Sequence, residues 1–336
     1  MRIAVLAPGL LTSVQDGVRR GHGASGVGGA GAMDPVSLRL ANLLVGNDEG
    51  AAALEITLLG PRLRFDEDCL VAICGADIDA RCGDLAIPSW RPVLLHAGSE
   101  LAFAGTRRGA RAYLAVAGGF DLPHVLGSRS TDLNAALGPL PRPLRKDDTL
   151  RCANVAPRSG DSLRRGLAST RAKRHAAAFP RWSLNPWPWF DYTGEQPIRA
   201  LAGHHFDALD DASQRALFGG EYRVGVDSNR VGFRLEGTPI ALREPVELVS
   251  AGSVPGCVQL PPHGTPIALT AEAPTSGGYP LIAHVIAVDQ GRLGQRRPGE
   301  HVRFAQTDLT DAQMRYLERE RALHRLSLTI AERLRG

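Results

Sequence analysis

A glycine-rich segment near the N-terminus carries side chains suited to acid–base and anion-binding chemistry. Residues 12–34 read TSVQDGVRRGHGASGVGGAGAMD, and their polar groups include an amide, a carboxylate, a guanidinium and an imidazole, at Gln15, Asp16, Arg19 and His22. Such a mixture on a loop is typical of a binding or catalytic site. Ordinary turn chemistry is the alternative, with Asp16-Gly17 as a tight hairpin turn.

A second segment combines hydroxyl groups with two adjacent glycines. It reads Thr275-Ser276-Gly277-Gly278-Tyr279-Pro280. Glycines in such a setting can expose backbone N–H groups to an anion, as in an oxyanion hole or a phosphate-binding nest. A simple β-turn explains the same residues equally well, so both interpretations stay open.

Other signatures of catalysis in the sequence are weak or absent. Residues 26–31 match the dinucleotide-binding pattern GxGxxG, but the nearest convincing strand lies far upstream, so a chance match or a flexible loop is favoured. No Lys-Ser or Lys-Thr follows these glycines, and neither GxSxG nor HExxH occurs. His204 and His205 would face opposite sides of a strand, so the sequence predicts no metal site.

The elements that position these segments are predicted to be mostly short strands. Glycine and proline number 38 and 23, which favours many tight turns. Apolar runs bounded by turn residues, most of them rich in β-branched residues, lie at 3–6, 70–73, 93–95, 112–117, 246–249, 267–269 and 281–288. Helical periodicity is clear at 35–44, with Asp34 as the cap and Pro35 first, and in a C-terminal helix from about Thr310.

Length and composition exclude several classes of protein. With 336 residues, 43% hydrophobic and 22% charged, the chain is expected to form about two soluble domains. A net charge of only +4 does not indicate nucleic-acid binding. No segment is apolar for long enough to cross a membrane, and the N-terminus is predicted to be a strand rather than a signal peptide. Five cysteines without a CxxC pair favour a reduced, cytoplasmic location.

The stretch at 151–195 differs in composition from its flanks. It is basic and then rich in proline and tryptophan, with Trp182, Trp187 and Trp189. Basic residues interleaved with aromatics can bind nucleic acid, but Pro-rich segments are natural connectors. We therefore interpret this stretch as a linker whose aromatics hold it against a neighbouring domain.

A series of longer motifs spans nearly the whole chain. They are Val14-Gln15-Asp16, Arg19 with Gly21, Gly31-Ala32-Met33-Asp34, LRLANLLVGN at 38–47, Ala53-Leu54-Glu55, Ser228-Asn229-Arg230 with Gly232, Val254-Pro255-Gly256 with Gln259 and Pro261, Gly277-Gly278-Tyr279-Pro280, and Arg297-Pro298-Gly299 with Val302-Arg303-Phe304. In type and order they resemble the carboxyltransferase-type family that includes allophanate hydrolase subunit 2, KipA and the C subunit of 5-oxoprolinase (PxpC). One departure is Pro274, where the family often has glutamine.

The resemblance implies a fold and a set of partners. The expected fold is mainly β, with two tandem cyclophilin-like β-barrel domains and few helices. We expect the N-terminal half at 1–150, the linker at 151–195, the C-terminal half at 196–307 and a C-terminal helix at 308–336. The family works beside a KipI-like protein and, in prokaryotic 5-oxoprolinase, a LamB/YcsF-like protein, so the chain is expected to be inactive alone.

Three functions are compatible with this resemblance. The leading one is the PxpC-type subunit of an ATP-dependent 5-oxoprolinase, which opens the lactam of 5-oxo-L-proline to give L-glutamate. The second is the carboxyltransferase subunit of a biotin-dependent, urea carboxylase-like enzyme; the chain has no Ala-Met-Lys-Met motif, so biotin would arrive on another protein. The third is a KipA-like regulatory binding protein.

The resemblance also implies roles for residues in the matched motifs. Under the leading hypothesis Arg19, Arg230 and the Gly277-Gly278 backbone bind anionic groups, while Asp16 and Tyr279 orient substrate or water. The predicted catalytic residues are therefore Asp16, Arg19, Arg230 and Tyr279. Predicted substrate contacts are Gln15, Asn229, Gln259, Thr275, Ser276, Gly277 and Gly278.

Overall fold

The computed structural model describes residues 1–153, 160–169, 176–191, 193–246 and 248–335, so parts of the predicted linker at 151–195 lie outside the described residues. Within these ranges the chain is mainly β, with nineteen strands and five α-helices, and the prediction of a mainly β fold with few helices is confirmed. Two compact units are formed, and neither is continuous in sequence. The first comprises Met1–Val18, Asp34–Tyr192 and Ala322–Gly336, and the second comprises Arg19–Met33 and Thr193–Arg321.

The first unit is built on one ten-stranded sheet. Its strands are β1 (Arg2–Ala7), β2 (Leu11–Gln15), β3 (Ala53–Thr57), β4 (Arg62–Phe65), β5 (Cys69–Cys82), β6 (Leu85–Ala86), β7 (Pro92–Leu95), β8 (Glu100–Val116), β9 (Thr149–Arg151) and β10 (Ala177–Ala178). The main path runs β10-β7-β5-β8-β4-β1-β9, with β3 beside β8, β2 beside β3 and β6 beside β5. Every pairing in this sheet is antiparallel.

Helix α1 (Pro35–Leu44) forms where the sequence predicts it. The Asp34 side chain accepts a hydrogen bond from the backbone N–H of Ser37 at 3.2 Å, and Pro35 occupies the first turn, where no N–H is required. Leu38, Leu40 and Leu44 are buried along this helix. A second helix of this unit, α2, spans Asp161–Ser169.

The second unit contains a closed seven-stranded barrel. Its strands and helices are β11 (Ile198–Ala202), α3 (Asp211–Gly219), β12 (Glu221–Val224), β13 (Gly232–Glu236), β14 (Ala251–Gly252), β15 (Cys257–Gln259), β16 (Ile267–Leu269), β17 (Ser276–Gly277), β18 (Leu281–Val285), α4 (Gln290–Gly294) and β19 (His301–Gln306). The barrel order is β11-β18-β15-β16-β13-β12-β19, closed by the parallel pairing of β19 with β11, while β14 and β17 form a separate two-stranded sheet. Tyr222, Phe233 and Phe304 fill the barrel core.

The C-terminal helix, α5, spans Leu309–Arg335 and begins within one residue of both predicted starts, 308 and about 310. Its residues up to Arg321 belong to the second unit and those from Ala322 to the first. No helix in the described part of the chain has the length and apolarity of a membrane span. All five cysteines are buried and unbridged.

The strand predicted at 246–249 is wrong for the residues that the structure describes there. Val246, Leu248 and Val249 lie outside any strand. Val246 is 40% exposed and Val249 is 93% exposed. The valines therefore have no buried face to occupy, which is what usually stabilises β-branched residues in a sheet.

An ion pair joins β11 to the segment that follows β18. The Asp289 carboxylate is fully buried and accepts hydrogen bonds from Arg199 Nε at 2.8 Å and Nη2 at 2.7 Å. Arg292 Nη1 lies 3.1 Å from the same carboxylate. Burial raises the pKa of Asp289, but the hydrogen bonds from Arg199 and the charge of Arg292 outweigh it and hold the pKa below the ordinary value.

This lowered pKa predicts an acid-dependent stability. A carboxylate with a lower pKa in the folded state stabilises the fold above its unfolded pKa, and that contribution is lost as the pH falls through the folded value. We expect Asp289→Asn to lower the free energy of unfolding by about 2 kcal/mol at pH 7. The difference between variant and wild type should shrink below about pH 4, the ordinary pKa range of aspartate. Urea unfolding from pH 7 to pH 3 measures it; a constant difference would contradict the prediction.

Candidate functional site

Asp16 directly follows β2, and its carboxylate accepts hydrogen bonds from three donors. Oδ1 accepts from the hydroxyls of Ser128 and Ser130, both at 2.6 Å, and Oδ2 accepts from the backbone N–H of Arg129 at 2.6 Å. The side chain is buried. The hairpin-turn alternative for Asp16-Gly17 is wrong, because β2 pairs with β3 rather than with a strand that begins after Gly17. This carboxylate therefore fixes the loop at 128–130.

Gln15 is tied to the same part of the first unit. Its Nε2 donates to Ser13 Oγ at 2.9 Å and to the carbonyl of Thr131 at 3.0 Å, and the residue is fully buried. Its Oε1 has no hydrogen-bond partner among the described residues. Buried amide oxygens without a partner are uncommon in folded proteins.

A buried tyrosine links two acidic residues of the first unit. The Tyr113 hydroxyl on β8 donates to Glu55 Oε2 on β3 at 2.7 Å and accepts from the backbone N–H of Asp34 at 2.7 Å. Burial, with the charges of Glu55 and Asp34, raises the pKa of Tyr113 well above its ordinary value. The phenol therefore stays protonated and holds the start of α1 against the sheet. Glu55 and Asp34 lie in motifs of the sequence. No site role was predicted for them or for Tyr113.

Arg230 forms a buried ion pair in the second unit. Its Nε donates to Glu272 Oε1 at 2.6 Å, and its Nη2 donates to the carbonyl of Gly31 at 2.6 Å. The two side chains are only 4% and 2% exposed. The pairing of β13 with β16 explains the contact, since Arg230 lies just before β13 and Glu272 just after β16. The guanidinium thereby attaches the glycine-rich segment to the barrel.

Arg19 lies in the same glycine-rich segment, on the N-terminal side of Gly31. It is buried, and its backbone N–H donates to the carbonyl of Gly29 at 2.8 Å. In the part of the segment that follows β2, residues 16–34, no strand directly precedes the glycines, and a 3₁₀ turn, Gly23–Ser25, is the only regular element. This geometry agrees with a loop rather than a dinucleotide-binding strand–turn–helix.

Gln259 and the segment at 275–279 face each other in the second unit. The Nε2 of Gln259 is buried and has no hydrogen-bond partner among the described residues. A Cβ atom at Gly277 would lie 2.6 Å from this nitrogen, so any larger residue there would displace the amide. The short β14–β17 pairing and the bond from Ser253 N–H to the Thr275 carbonyl, at 3.0 Å, hold this segment in place.

The other predicted substrate contacts of this unit lie at its surface. Ser276, Gly278 and Tyr279 are exposed, and Thr275 is half-buried. Asn229 is also exposed, and its Oδ1 accepts from the backbone N–H of Val231 at 2.8 Å. That bond shapes the turn that leads from Arg230 into β13.

The predicted site residues thus divide between the units. Gln15 and Asp16 meet the loop at 128–131 in the first unit. In the second, Arg19 and Arg230 both contact the glycine-rich segment, and Gln259 lies beneath Gly277. The side-chain partners of Asp16 and Arg230 that the sequence did not indicate are Ser128, Ser130 and Glu272. Glu272 was the only one next to a noted motif. No group of three His, Cys, Asp or Glu side chains in the described ranges is placed to hold a metal ion.

Comparison with solved structures defines the class of the protein. The fold superposes on the Kluyveromyces lactis urea carboxylase with a TM-score of 0.81 and 28% identity, covering 96% of this chain and 29% of that one. It superposes on TTHA0988 with a TM-score of 0.72 and 34% identity, covering 90% of this chain and 55% of that one. The fold is therefore one that both of these structures carry within a longer chain.

The family follows from the sequence comparison. Residues 25–306 match the family model described as carboxyltransferase domain, subdomain A and B, and the chain belongs to this family. It is 39% identical over 323 residues to the C subunit of 5-oxoprolinase from Escherichia coli strain K12, covering 94% of this chain and 96% of that protein. The corresponding 5-oxoprolinase subunit of Haemophilus influenzae is 35% identical, with 89% of each chain covered.

More distant relatives are larger enzymes. The chain is 30% identical to the urea amidolyase of Saccharomyces cerevisiae, covering 90% of this chain but only 16% of that enzyme. In the two 5-oxoprolinase subunits the match extends over nearly the whole protein. The matched region is therefore a separate subunit in the one case and a segment of a larger enzyme in the other.

Proposed function

We propose that this chain is the PxpC-type subunit of an ATP-dependent 5-oxoprolinase that hydrolyses 5-oxo-L-proline to L-glutamate. The observation that carries the proposal is the 39% identity to the Escherichia coli 5-oxoprolinase subunit over 96% of that protein. A match that extends over nearly the whole of both chains favours the same task. The enzyme type is an amide hydrolase acting on a lactam.

The chemistry explains why such an enzyme uses ATP. A lactam is stabilised by resonance, so water attacks its carbonyl carbon slowly. Transfer of a phosphoryl group to the carbonyl oxygen makes that carbon a better electrophile, and the protein must then stabilise phosphate and oxyanion charge. Buried arginines and backbone N–H groups beside glycines are suited to this task.

The geometry supports different roles for the predicted residues. We assign the segment at 275–279, with Tyr279 and the Gly277-Gly278 backbone, to direct contact with substrate. Arg230 serves as a positioning residue, because its guanidinium is held by Glu272 and the carbonyl of Gly31. Asp16 acts in the same way on the loop at 128–130. Within the second unit, Gln259 offers a buried amide nitrogen to the ligand, together with Arg19 and Asn229.

Activity is proposed to require two partners in the cytoplasm, a KipI-like protein and a LamB/YcsF-like protein. The test mixes this protein with those two proteins from its own genome and follows 5-oxoproline-dependent ATP hydrolysis and glutamate release. We expect turnover only in the complete mixture, with loss of both products when any one component is omitted. Activity that persists without this chain would overturn the proposal.

A biotin-dependent carboxyltransferase is the second candidate, and the urea amidolyase and urea carboxylase relatives favour it. In that case the partners would be a biotin carboxylase and a biotinylated carrier protein. The assembled complex separates the two candidates, because a complex that ignores 5-oxoproline but transfers a carboxyl group from carboxybiotin to urea supports the second one. Assembly with the KipI-like protein and no turnover of either substrate would support KipA-like regulation.

A further inference from the structure

A groove of about 430 Å³ lies on the first unit, away from every predicted site residue. All of its walls come from that unit. Its volume falls within the usual range of small-molecule sites, about 300–1,000 Å³. The groove forms where the long antiparallel pairing of β5 with β8 is irregular, with register shifts on both sides of Asp77. The Pro/Trp-rich stretch contributes the opposite wall through Pro186 and Trp187.

Trp187 presents its ring to this groove on a well-supported backbone. The side chain is 61% exposed, although the turn around it is fixed. The N–H groups of Trp189 and Phe190 both donate to the Pro186 carbonyl, at 2.8 and 2.9 Å. The Phe190 ring packs edge-on against Trp90 at 6.5 Å, which anchors the turn to the unit. An exposed indole on a rigid turn is an apolar platform that loses little conformational entropy when a ligand packs on it.

The charged groups in the groove are of both signs and incompletely paired. Arg107 lies 3.8 Å from a carboxylate oxygen of Asp77 and 3.8 Å from one of Asp79. Both separations exceed hydrogen-bond length, so the Asp77 carboxylate keeps its acceptor capacity. Asp79 Oδ2 also lies 3.5 Å from Arg81 Nε, so the capacity of Asp79 rests mainly on its Oδ1. The guanidinium of Arg108 forms no ion pair or hydrogen bond with any residue that the structure describes. A ligand with one charge would face repulsion from half of these groups.

We propose that this groove binds a free α-amino acid in its zwitterionic form, with an apolar or aromatic side chain. The ligand carboxylate would pair with Arg107 and Arg108, its ammonium group with Asp77 and Asp79, and its side chain would pack on Trp187. Two carboxylates and two guanidinium groups match the two opposite charges of a zwitterion, and the indole face matches an apolar side chain. The proposal is independent of the 5-oxoprolinase assignment.

The test is isothermal titration calorimetry of the full chain with L-phenylalanine. We expect saturable binding, and we expect binding at least about tenfold weaker for 3-phenylpropionate, which lacks the ammonium group, and for 2-phenylethylamine, which lacks the carboxylate. Trp187→Ala should weaken L-phenylalanine binding by about fivefold, the effect of losing one aromatic contact. Asp77→Asn with Asp79→Asn should weaken it further.

The matched control is Trp182→Ala, because Trp182 belongs to the same stretch but does not line the groove. It should leave the affinity for L-phenylalanine unchanged. Unaltered far-ultraviolet circular dichroism and thermal midpoint would establish that each variant is folded. No saturable heat with L-phenylalanine, L-leucine or L-tryptophan, equal binding by Trp187→Ala and wild type, or equal binding of the singly charged analogues would overturn the proposal.

Discussion

Replacing Arg230 by alanine is expected to lower the free energy of unfolding by about 3–5 kcal/mol, the usual effect of removing one partner of a buried ion pair. The substitution leaves the Glu272 carboxylate buried without its cation, and it also removes the donor to the Gly31 carbonyl. The glycine-rich segment then loses one of its attachments to the barrel, and the packing of Met33 in the core remains. Urea unfolding followed by circular dichroism measures the loss of stability. Glutamate release by the assembled complex should fall at least about a hundredfold, because an interaction network at the site is removed.

The second unit provides a matched control for this prediction. Arg223 and Glu236 also form a close ion pair, but their side chains are 59% and 44% exposed. Because solvent screens such a pair, Arg223→Ala should change the stability by less than about 1 kcal/mol. The double variant Arg230→Ala with Glu272→Ala should recover part of the stability, since no uncompensated charge remains. An Arg230→Ala protein no less stable than Arg223→Ala would contradict the buried pairing.

Asp16→Ala is expected to cost about 3 kcal/mol or more of the unfolding free energy of the first unit, because its carboxylate accepts three hydrogen bonds, from Ser128, Arg129 and Ser130. Each hydrogen bond to a charged group contributes about 1.5–3 kcal/mol, although the three are not additive. Alanine leaves the two hydroxyls and the N–H without their acceptor. Chemical unfolding of the variant measures the loss, and hydrogen exchange should show faster exchange at the Arg129 amide.

Asp210 is the control for Asp16. Its carboxylate caps α3 and accepts a hydrogen bond from the backbone N–H of Ser213 at 2.7 Å. Asp210→Ala removes a single helix cap and should therefore destabilise the protein clearly less than Asp16→Ala. If Asp16→Ala were no worse than Asp210→Ala, Asp16 would not organise the loop at 128–130. In that event its role would be limited to contact with substrate.

Local chemistry made parts of this fold predictable from sequence. Helix α1 is specified by residues within three positions of its start, Asp34, Pro35 and Ser37. Six of the seven predicted apolar runs lie wholly or largely within strands, as at 93–95 and 267–269. The strand predicted at 246–249 shows the limit of that reasoning, because β-branched residues form a strand only where a partner strand and a buried face exist.

The site contacts were less predictable because they join distant positions. Asp16 and Ser128 are 112 residues apart, and Arg230 and Glu272 are 42 apart. No local rule connects such pairs, which depend on the register of β13 with β16 and on the path of the chain after β8. The family motifs identified Asp16 and Arg230 as notable residues. They did not indicate that both side chains would be occupied by donors or acceptors of the protein itself.

The division of the second unit into two stretches of sequence has a consequence for how the chain can be made. Met33 packs in the core of the barrel, and the Gly31 carbonyl accepts a hydrogen bond from Arg230. Both residues belong to the short piece Arg19–Met33, which is separated in sequence from the rest of the second unit by Asp34–Tyr192 of the first. A fragment that starts at Thr193 would lack this piece and could not complete its core. During synthesis this piece leaves the ribosome before the rest of the second unit. Its contacts with the barrel can therefore form only after the barrel strands have been translated.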